Sequence, residues 1–245
     1  MNAFLIALQF LTRLPVRAEL SMSPEALGRS VLFYPLVGLL VGLLLLPIAA
    51  LGNMASAEFA AALVLVVWVA ITGALHLDGL ADSADAWVGG YGDRERTLAI
   101  MKDPYCGPAG VATVVLLLLL KYAALVTLFE SGEWVLELLT VVVLARTAVI
   151  ALLSLTPYVR KAGIGAQHAW HLPGGEAQWV VIITALFLVA LLGGAAVVVF
   201  GATIVLFYGL RRMMVRRLGG ITGDTCGAMV ELMEVSSLGL FAILI

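Results

Sequence analysis

Charged residues are scarce in this sequence. Lysine, arginine, aspartate and glutamate make up 12% of the 245 residues, whereas a soluble domain carries about 25%. The formal net charge is only −2, so the chain offers no basic surface of the kind that binds nucleic acid. Only two cysteines occur, Cys106 and Cys226, in neither a disulfide framework nor a metal-binding spacing. These absences exclude a nucleic-acid-binding protein, a disulfide-rich secreted domain and a chain with a large soluble part.

Hydrophobic residues take the place of the missing charges. They form 62% of the chain, and the mean hydropathy is +1.09. A helix needs about 20 largely apolar residues to cross a bilayer. We therefore predict an all-α fold, a polytopic helical membrane protein in which residues 1–245 form one integral-membrane catalytic domain. Its seven predicted transmembrane helices lie at 30–52, 59–75, 110–129, 134–156, 227–245 and, divided at Gly193-Gly194, twice within 178–210.

Residues 1–15 are apolar but too short to cross a bilayer. Their large side chains recur at helical spacing, and the first basic residues, Arg13 and Arg17, follow the apolar run. A signal peptide carries its positive charge before that run. The pattern therefore predicts an N-terminal interfacial or re-entrant helix.

The basic residues predict the orientation of the chain. With seven spans, most of them fall in segments on one side: before the first span, after the second, after the fourth and before the last. The positive-inside rule assigns that side to the cytoplasm. Treating 178–210 as one span would move Arg211, Arg212, Arg216 and Arg217 to the opposite side. We therefore expect a cytoplasmic N-terminus and an external C-terminus.

Three aspartates lie in the segment HLDGLADSAD, residues 76–85. Asp78, Asp82 and Asp85 occur at i, i+4 and i+7, which on a helix places them within about 60° of one another. Like charges so close repel unless a cation lies between them, and carboxylate oxygens suit Mg²⁺. The alternative is a solvated helix face, or an N-cap followed by first-turn acids.

A second acidic stretch begins in the glycine-rich segment 219–228. It contains Asp224, and Glu231 and Glu234 follow. Asp224 and Glu231 share a face if the helix has begun by Asp224, and Glu231 then lies about 10 Å further into the membrane. A carboxylate at that depth needs a polar cavity, a cation or a partner, and it is a candidate functional residue.

Two basic residues lie within predicted spans. Arg146 either contacts an anionic substrate or forms an internal ion pair, and these alternatives stay open. Lys121 lies nearer the outer end of its span, where it can extend to the interface, and we expect a structural role for it.

These residues together indicate phosphate chemistry. Carboxylates on two helices can hold Mg²⁺ against a diphosphate, and a carboxylate can accept the proton of an attacking hydroxyl. Glycines such as Gly223 allow close approach of a substrate, and nearby cations can bind its phosphates. The pattern predicts a cytoplasm-facing, Mg²⁺-dependent transferase that acts on a diphosphate-activated substrate, with candidate catalytic residues Asp78, Asp82 and Asp85 and candidate substrate contacts Arg94, Arg96, Lys102, Arg146 and Gly223.

The segment HLDGLADSAD resembles the signature of the cobalamin (5′-phosphate) synthase family, the adenosylcobinamide-GDP ribazoletransferases. Further segments are similar to that family in the same order along the chain: QFLTRLP (9–15), FYPLVG (33–38), RER (94–96), IMKD (100–103) and GITGDTCGA (220–228), followed by Glu231.

The resemblance implies a reaction and a location. Members transfer the adenosylcobinamide phosphoryl group from adenosylcobinamide-GDP to α-ribazole or α-ribazole 5′-phosphate and release GMP. They are Mg²⁺-dependent multi-pass proteins of the prokaryotic inner membrane. The implied roles are metal ligation by Asp78, Asp82 and Asp224, a base or further ligand at Asp85, a supporting ligand at Glu231, and phosphate or nucleotide contacts from Arg94, Arg96 and Lys102.

Two other functions are alternatives. CDP-alcohol phosphatidyltransferases also use aspartates, but their D-G-x-x-A-R pattern is broken here because Asp82 follows Ala81 and no arginine is present. An ion-coupled transporter would use Glu231, Glu234 and Arg146, but the chain shows no internal repeat of the kind such proteins carry. The lipid bilayer is the expected partner besides the substrates, and the oligomeric state, a homo-oligomer included, stays open.

Overall fold

The computed structural model describes residues 2–18, 20–192 and 194–245, and these are almost entirely helical. A short 3₁₀ turn, Val31–Phe33, joins the second helix to the third. The helices are α1 (Asn2–Leu11), α2 (Pro24–Ser30), α3 (Tyr34–Asn53), α4 (Ala57–Thr72), α5 (Leu75–Gly89), α6 (Arg94–Ile100), α7 (Pro108–Ser131), α8 (Val135–Leu155), α9 (Ile164–Trp170), α10 (Gly174–Leu192), α11 (Gly194–Leu218) and α12 (Gly223–Leu244).

The structure confirms a polytopic all-α membrane protein. Six helical segments are long and apolar enough to cross a bilayer, and the bent pair α4–α5 makes a seventh if it is counted as one span. The predicted division of 178–210 corresponds to α10 and α11, although Gly193 itself lies outside the described residues. The six segments are Pro24–Gly52, Pro108–Ser131, Val135–Leu155, Gly174–Leu192, Val197–Leu218 and Gly223–Leu244.

The first acidic stretch lies on a helix of its own, α5. Helix α4 ends at Gly73, and α5 leaves it at an angle of 88°. Gly73 and Ala74 both adopt left-handed backbone angles, with φ of 61° and 57°. A left-handed residue ends an α-helix, and two in succession turn the chain sharply. The aspartates therefore lie on a helix that leaves the preceding span at nearly a right angle instead of continuing it.

Helix α1 packs on the bundle. Its residues Ile6, Ala7 and Leu11 are buried. Ala7 and Leu11 join a hydrophobic cluster that includes Val37 of α3 and Val149 of α8. The short apolar N-terminal helix expected from the sequence is therefore present, and one face of it is covered by protein.

Helix α12 lies at the centre of the bundle and packs against α5, α7, α8 and α11. It carries two buried carboxylates that meet two buried cations. Lys121 of α7 donates to Glu231 Oε2 at 2.6 Å and also to Glu234, and Arg146 of α8 donates to Glu234. The Lys121 ammonium also lies 4.9 Å from the ring centroid of Trp68 in α4.

We call Lys121, Arg146, Glu231 and Glu234 the buried ion network. Two cations face two carboxylates, so the network carries no formal net charge. It joins α7, α8 and α12 by ion pairs, and α4 by the aromatic contact. A buried pair is costly to break, because removal of one partner leaves a charge without compensation in a medium of low dielectric.

Replacement of Lys121 tests this role. We expect Lys121→Met to lower the stability by about 3–5 kcal/mol, the usual cost of removing one partner from a buried pair. The measurement is thermal unfolding of the purified protein in detergent. Leu120→Met is the matched control, because Leu120 is the adjacent residue and is 62% exposed. Equal melting temperatures for the two variants would contradict the role.

Candidate active site

The two acidic stretches meet where α5 crosses α12. The crossing is close enough that a Cβ placed on Gly79 of α5 would lie 2.7 Å from the backbone oxygen of Asp224. On the other side of the contact, a Cβ on Gly227 would lie 3.2 Å from the backbone oxygen of His76. Glycine at these two positions lets the two backbones touch, so α5 and α12 are closest beside the aspartates that they carry.

The crossing gathers Asp78, Asp82 and Asp224, which we call the acidic cluster. Asp82 lies within electrostatic range of both Asp78 and Asp224. The side chain of Asp78 is exposed, and those of Asp82 and Asp224 are partly buried. The sequence-based prediction that these two stretches lie together therefore agrees with the structure.

Arg160 is a member of the site that the sequence analysis did not select. One of its guanidinium nitrogens donates to Asp224 Oδ2 at 2.5 Å and to the backbone oxygen of Met101 at 3.3 Å. Its Nε is buried and has no partner among the described residues. Arg160 thus supplies the acidic cluster with a cation from a distant part of the chain.

A short parallel bridge brings Arg160 to this position. Val159 donates to the backbone oxygen of Ile221, and Ile221 donates to that of Pro157, each at 2.9 Å. A Cβ on Gly220 would lie 2.1 Å from the oxygen of Pro157, so this pairing requires glycine there. No local motif marks the arginine, since its partner lies 64 residues away.

Asp85 faces the loop before α7. Its two carboxylate oxygens accept backbone N–H groups, Oδ2 from Gly107 at 2.6 Å and Oδ1 from Gly110 at 2.8 Å. These are the unpaired donors at the beginning of α7. Asp85 therefore ties α5 to α7, and both of its oxygens are engaged in that contact.

Other candidates from the sequence lie apart from the acidic cluster. Glu231 and Arg146 belong to the buried ion network. Arg94 Nε donates to the backbone oxygen of Leu218 at 2.6 Å, and the Arg96 guanidinium lies 5.1 Å from the ring centroid of Tyr91. Lys102 is exposed just beyond α6. The structure therefore brings together only part of the predicted set.

A cavity of about 170 Å³ opens beside the acidic cluster. Asp78, Asp224, Gly223, His76 and Arg146 contribute to its wall, and most of the remaining lining is apolar or aromatic. Arg146 therefore both belongs to the buried ion network and lines the cavity. Tyr158 also lines it, and burial raises the pKa of Tyr158 to about 12. The phenol is therefore protonated at neutral pH and can donate a hydrogen bond to an anionic or polar ligand.

The three carboxylates of the acidic cluster fit a hard divalent cation that takes its remaining ligands from water and substrate. Asp78, Asp82 and Asp224 supply carboxylate oxygens, which Mg²⁺ prefers. Within the described part of the chain, no three acidic, histidine or cysteine side chains already converge as a metal site. Mg²⁺ characteristically uses one or two carboxylates together with water and substrate phosphates, so such convergence is not required of it.

Comparison with known proteins gives a consistent result. The model of the family described as cobalamin-5-phosphate synthase matches residues 3–242. A Pseudomonas syringae pv. syringae protein named adenosylcobinamide-GDP ribazoletransferase is 53% identical over 244 residues, which is 100% of both chains. Proteins of the same name from Pseudomonas savastanoi pv. phaseolicola and Pseudomonas entomophila are 52% and 53% identical, over 100% and 97% of both chains. No solved structure matches the chain.

The helix crossing can be tested with one methyl group. We expect Gly79→Ala to lower the stability by about 1–3 kcal/mol, because the new Cβ forces α5 away from α12. Thermal unfolding in detergent measures the change. Gly239→Ala in α12 is the control, since a Cβ there has no neighbour within 4 Å among the described residues. A Gly79→Ala protein as stable as the control would contradict the close crossing.

Proposed function

The chain belongs to the cobalamin-5-phosphate synthase family, and we propose that it joins adenosylcobinamide-GDP to α-ribazole or α-ribazole 5′-phosphate. In this reaction a ribose hydroxyl of the ribazole attacks the phosphorus that bears the adenosylcobinamide group. The new P–O bond forms as the P–O bond to GMP breaks, and the hydroxyl proton passes to a base. The products are the adenosylcobalamin nucleotide, GMP and a proton.

One observation carries the proposal. The acidic cluster borders a cavity with a largely apolar wall through Asp78 and Asp224, and Arg160 pairs with Asp224. Diphosphate chemistry needs both kinds of charge, because carboxylates can hold a metal ion and arginine can bind phosphate oxygens in a bidentate manner. The apolar wall suits a substrate whose other parts are hydrophobic.

We propose Mg²⁺ as the metal ion and Asp78, Asp82 and Asp224 as its ligands. Bound there, it would neutralise negative charge on the diphosphate and on the leaving GMP. The exposure of Asp78 and the partial exposure of Asp82 support this assignment, since both carboxylates are open to an incoming substrate. Asp85 and Glu231 are left out of the ligand set because both already bind groups of the chain itself.

Arg160 is proposed to move between two anions. In the structure it neutralises Asp224. A metal ion held by Asp224 would leave the guanidinium free to bind an oxygen of the diphosphate, and its fork geometry suits that contact. Arg160 would thus neutralise Asp224 when no substrate is bound, and it would bind a phosphate oxygen when substrate is present.

We propose that the site faces the cytoplasm of a bacterial inner membrane. The acidic cluster lies at the same end of the bundle as the loops that carry Arg94 and Arg160 and the basic end of α11. The positive-inside rule favours the cytoplasm for that end. Nucleotide substrates are available on that side, which agrees with the release of GMP.

Release of GMP measures the proposed reaction directly. With adenosylcobinamide-GDP and α-ribazole 5′-phosphate, we expect the purified protein in detergent to release GMP with Mg²⁺ and to stop when EDTA is added. Asp82→Asn should lower kcat/KM at least about 100-fold, because a group that stabilises the transition state is lost. Glu130→Gln, an exposed acid at the far end of α7, is the control. Full activity in EDTA would contradict the metal site.

The proposed movement of Arg160 predicts a graded effect. We expect Arg160→Met to lower kcat/KM by about 100-fold, since an electrostatic contact to the diphosphate is lost. Arg160→Lys should retain part of the activity, because it keeps the charge but not the bidentate fork. The loss should appear with adenosylcobinamide-GDP as the varied substrate. Unchanged kinetics in both variants would show that Arg160 serves only to pair with Asp224.

A further inference from the structure

Part of the wall of the cavity beside the acidic cluster is aromatic, and we call this cavity the chamber. Phe10 of α1, Tyr34 of α3 and His168 of α9 form one part of its wall. The rings of Phe10 and His168 meet edge to face, with centroids 4.7 Å apart. An apolar cavity of about 150 Å³ is large enough to bind benzene, and this one measures about 170 Å³. Its size and lining therefore suit one flat aromatic group.

His168 supplies the chamber with a polar atom that has no partner. The side chain is only 2% exposed. Its Nδ1 lies 3.3 Å from the hydroxyl oxygen of Tyr34, whereas its Nε2 is buried and has no hydrogen-bond partner among the described residues. A buried polar atom without a partner is unfavourable in a folded protein, so its presence in a cavity wall points to a ligand that satisfies it.

The protonation state of His168 defines what that ligand must offer. Burial lowers the pKa of His168 to about 4, so the ring is neutral at pH 7. A neutral imidazole has one donor and one acceptor nitrogen. A phenol hydroxyl is a good donor, and when Tyr34 donates to Nδ1 the proton of His168 lies on Nε2. The part of the wall formed by His168 then offers an N–H donor to an aromatic ligand.

We propose that this chamber binds the benzimidazole base of ribazole, with His168 Nε2–H donating to the free ring nitrogen. The inference rests on the proposed function and assigns one substrate to one part of the site. The base is flat and apolar, and its one free ring nitrogen is an acceptor. With the base against the aromatic wall, the attached ribose lies toward Asp78 and Asp224, which line the same cavity.

The other parts of the two substrates fit the chamber less well. Guanine presents donors and acceptors around its whole edge, and most of them would remain unpaired against Phe10, Tyr34 and His168. The corrin ring is far larger than a cavity of about 170 Å³. The benzimidazole base is therefore the group whose size and hydrogen-bonding capacity both match the chamber.

The test compares two acceptor substrates in the full-length protein in detergent. One is α-ribazole 5′-phosphate, and the other is the matching ribotide of dimethylindole, which has a C–H group in place of the free ring nitrogen. We expect the wild-type protein to favour the benzimidazole by about 10-fold in kcat/KM, the usual effect of one neutral hydrogen bond. The preference should appear in the KM for the acceptor, with the KM for adenosylcobinamide-GDP unchanged.

Four variants identify the donor. His168→Phe should remove the preference, and His168→Gln, which retains an N–H donor, should restore part of it. His171→Phe is the matched control, because this histidine ends the same short helix and bonds only to the backbone of Gln167. His76→Phe should retain the preference, although His76 also lines the cavity with an unpaired Nδ1.

Binding without turnover separates this inference from the proposed function. Calorimetric titration with each ribotide alone should give the same 10-fold preference even if no GMP is released. If no GMP is released but the binding preference is retained, the proposed reaction is overturned and the proposed binding of the base in the chamber stands. Equal binding of the two ribotides by the wild-type protein would overturn the chamber, as would loss of the preference in His76→Phe but not in His168→Phe. The comparison of the two ribotides in the wild-type protein tests the proposal even if a histidine variant fails to fold.

Discussion

The close contact of α5 with α12 is the constraint on which the rest of the site depends. Gly79 lets the backbone of α5 touch that of α12 at Asp224. A larger residue would separate the helices and, with them, the carboxylates that they carry. The sharp turn at Gly73 and Ala74 directs α5 away from the axis of α4 by 88°, and α5 then packs against α12. The acidic cluster is thus a consequence of backbone geometry in two short segments.

Charge compensation operates at two depths of the bundle. Deep inside, Lys121 and Arg146 neutralise Glu231 and Glu234, and this arrangement fixes the positions of the helices around α12. An ion-coupled transporter needs intramembrane acids that exchange ions, whereas these acids are already paired with cations of the chain. Nearer the surface Asp224 is paired with Arg160, whereas the other two aspartates of the cluster have no ion-pair partner among the residues that the structure describes. This difference separates a structural network from a site that can bind substrate.

Sequence patterns predicted much of the architecture. Hydropathy and length indicated about seven spans because the bilayer requires runs of apolar residues that few soluble folds contain. The i, i+4, i+7 spacing of three aspartates indicated their position on one helix. The glycine-rich segment before Asp224 marked the beginning of the last helix, where Thr222 and Thr225 form a capping box. Each of these signals is local, so neighbouring residues alone determine it.

Tertiary structure decided which of the candidate residues share a site. Asp85 has the same spacing signal as Asp78 and Asp82, yet it binds the beginning of α7 because that helix end lies opposite it. Glu231 has the spacing of a partner for Asp224, yet it meets Lys121 on another helix. Arg160 has no local signal and reaches Asp224 only through the bridge between Tyr158 and Ile221. The sequence by itself determined the membrane helices and the faces that carry acids, because helical periodicity depends on near neighbours. Only the packed structure determined the partner of each charge, because partners distant in sequence meet only when the helices cross.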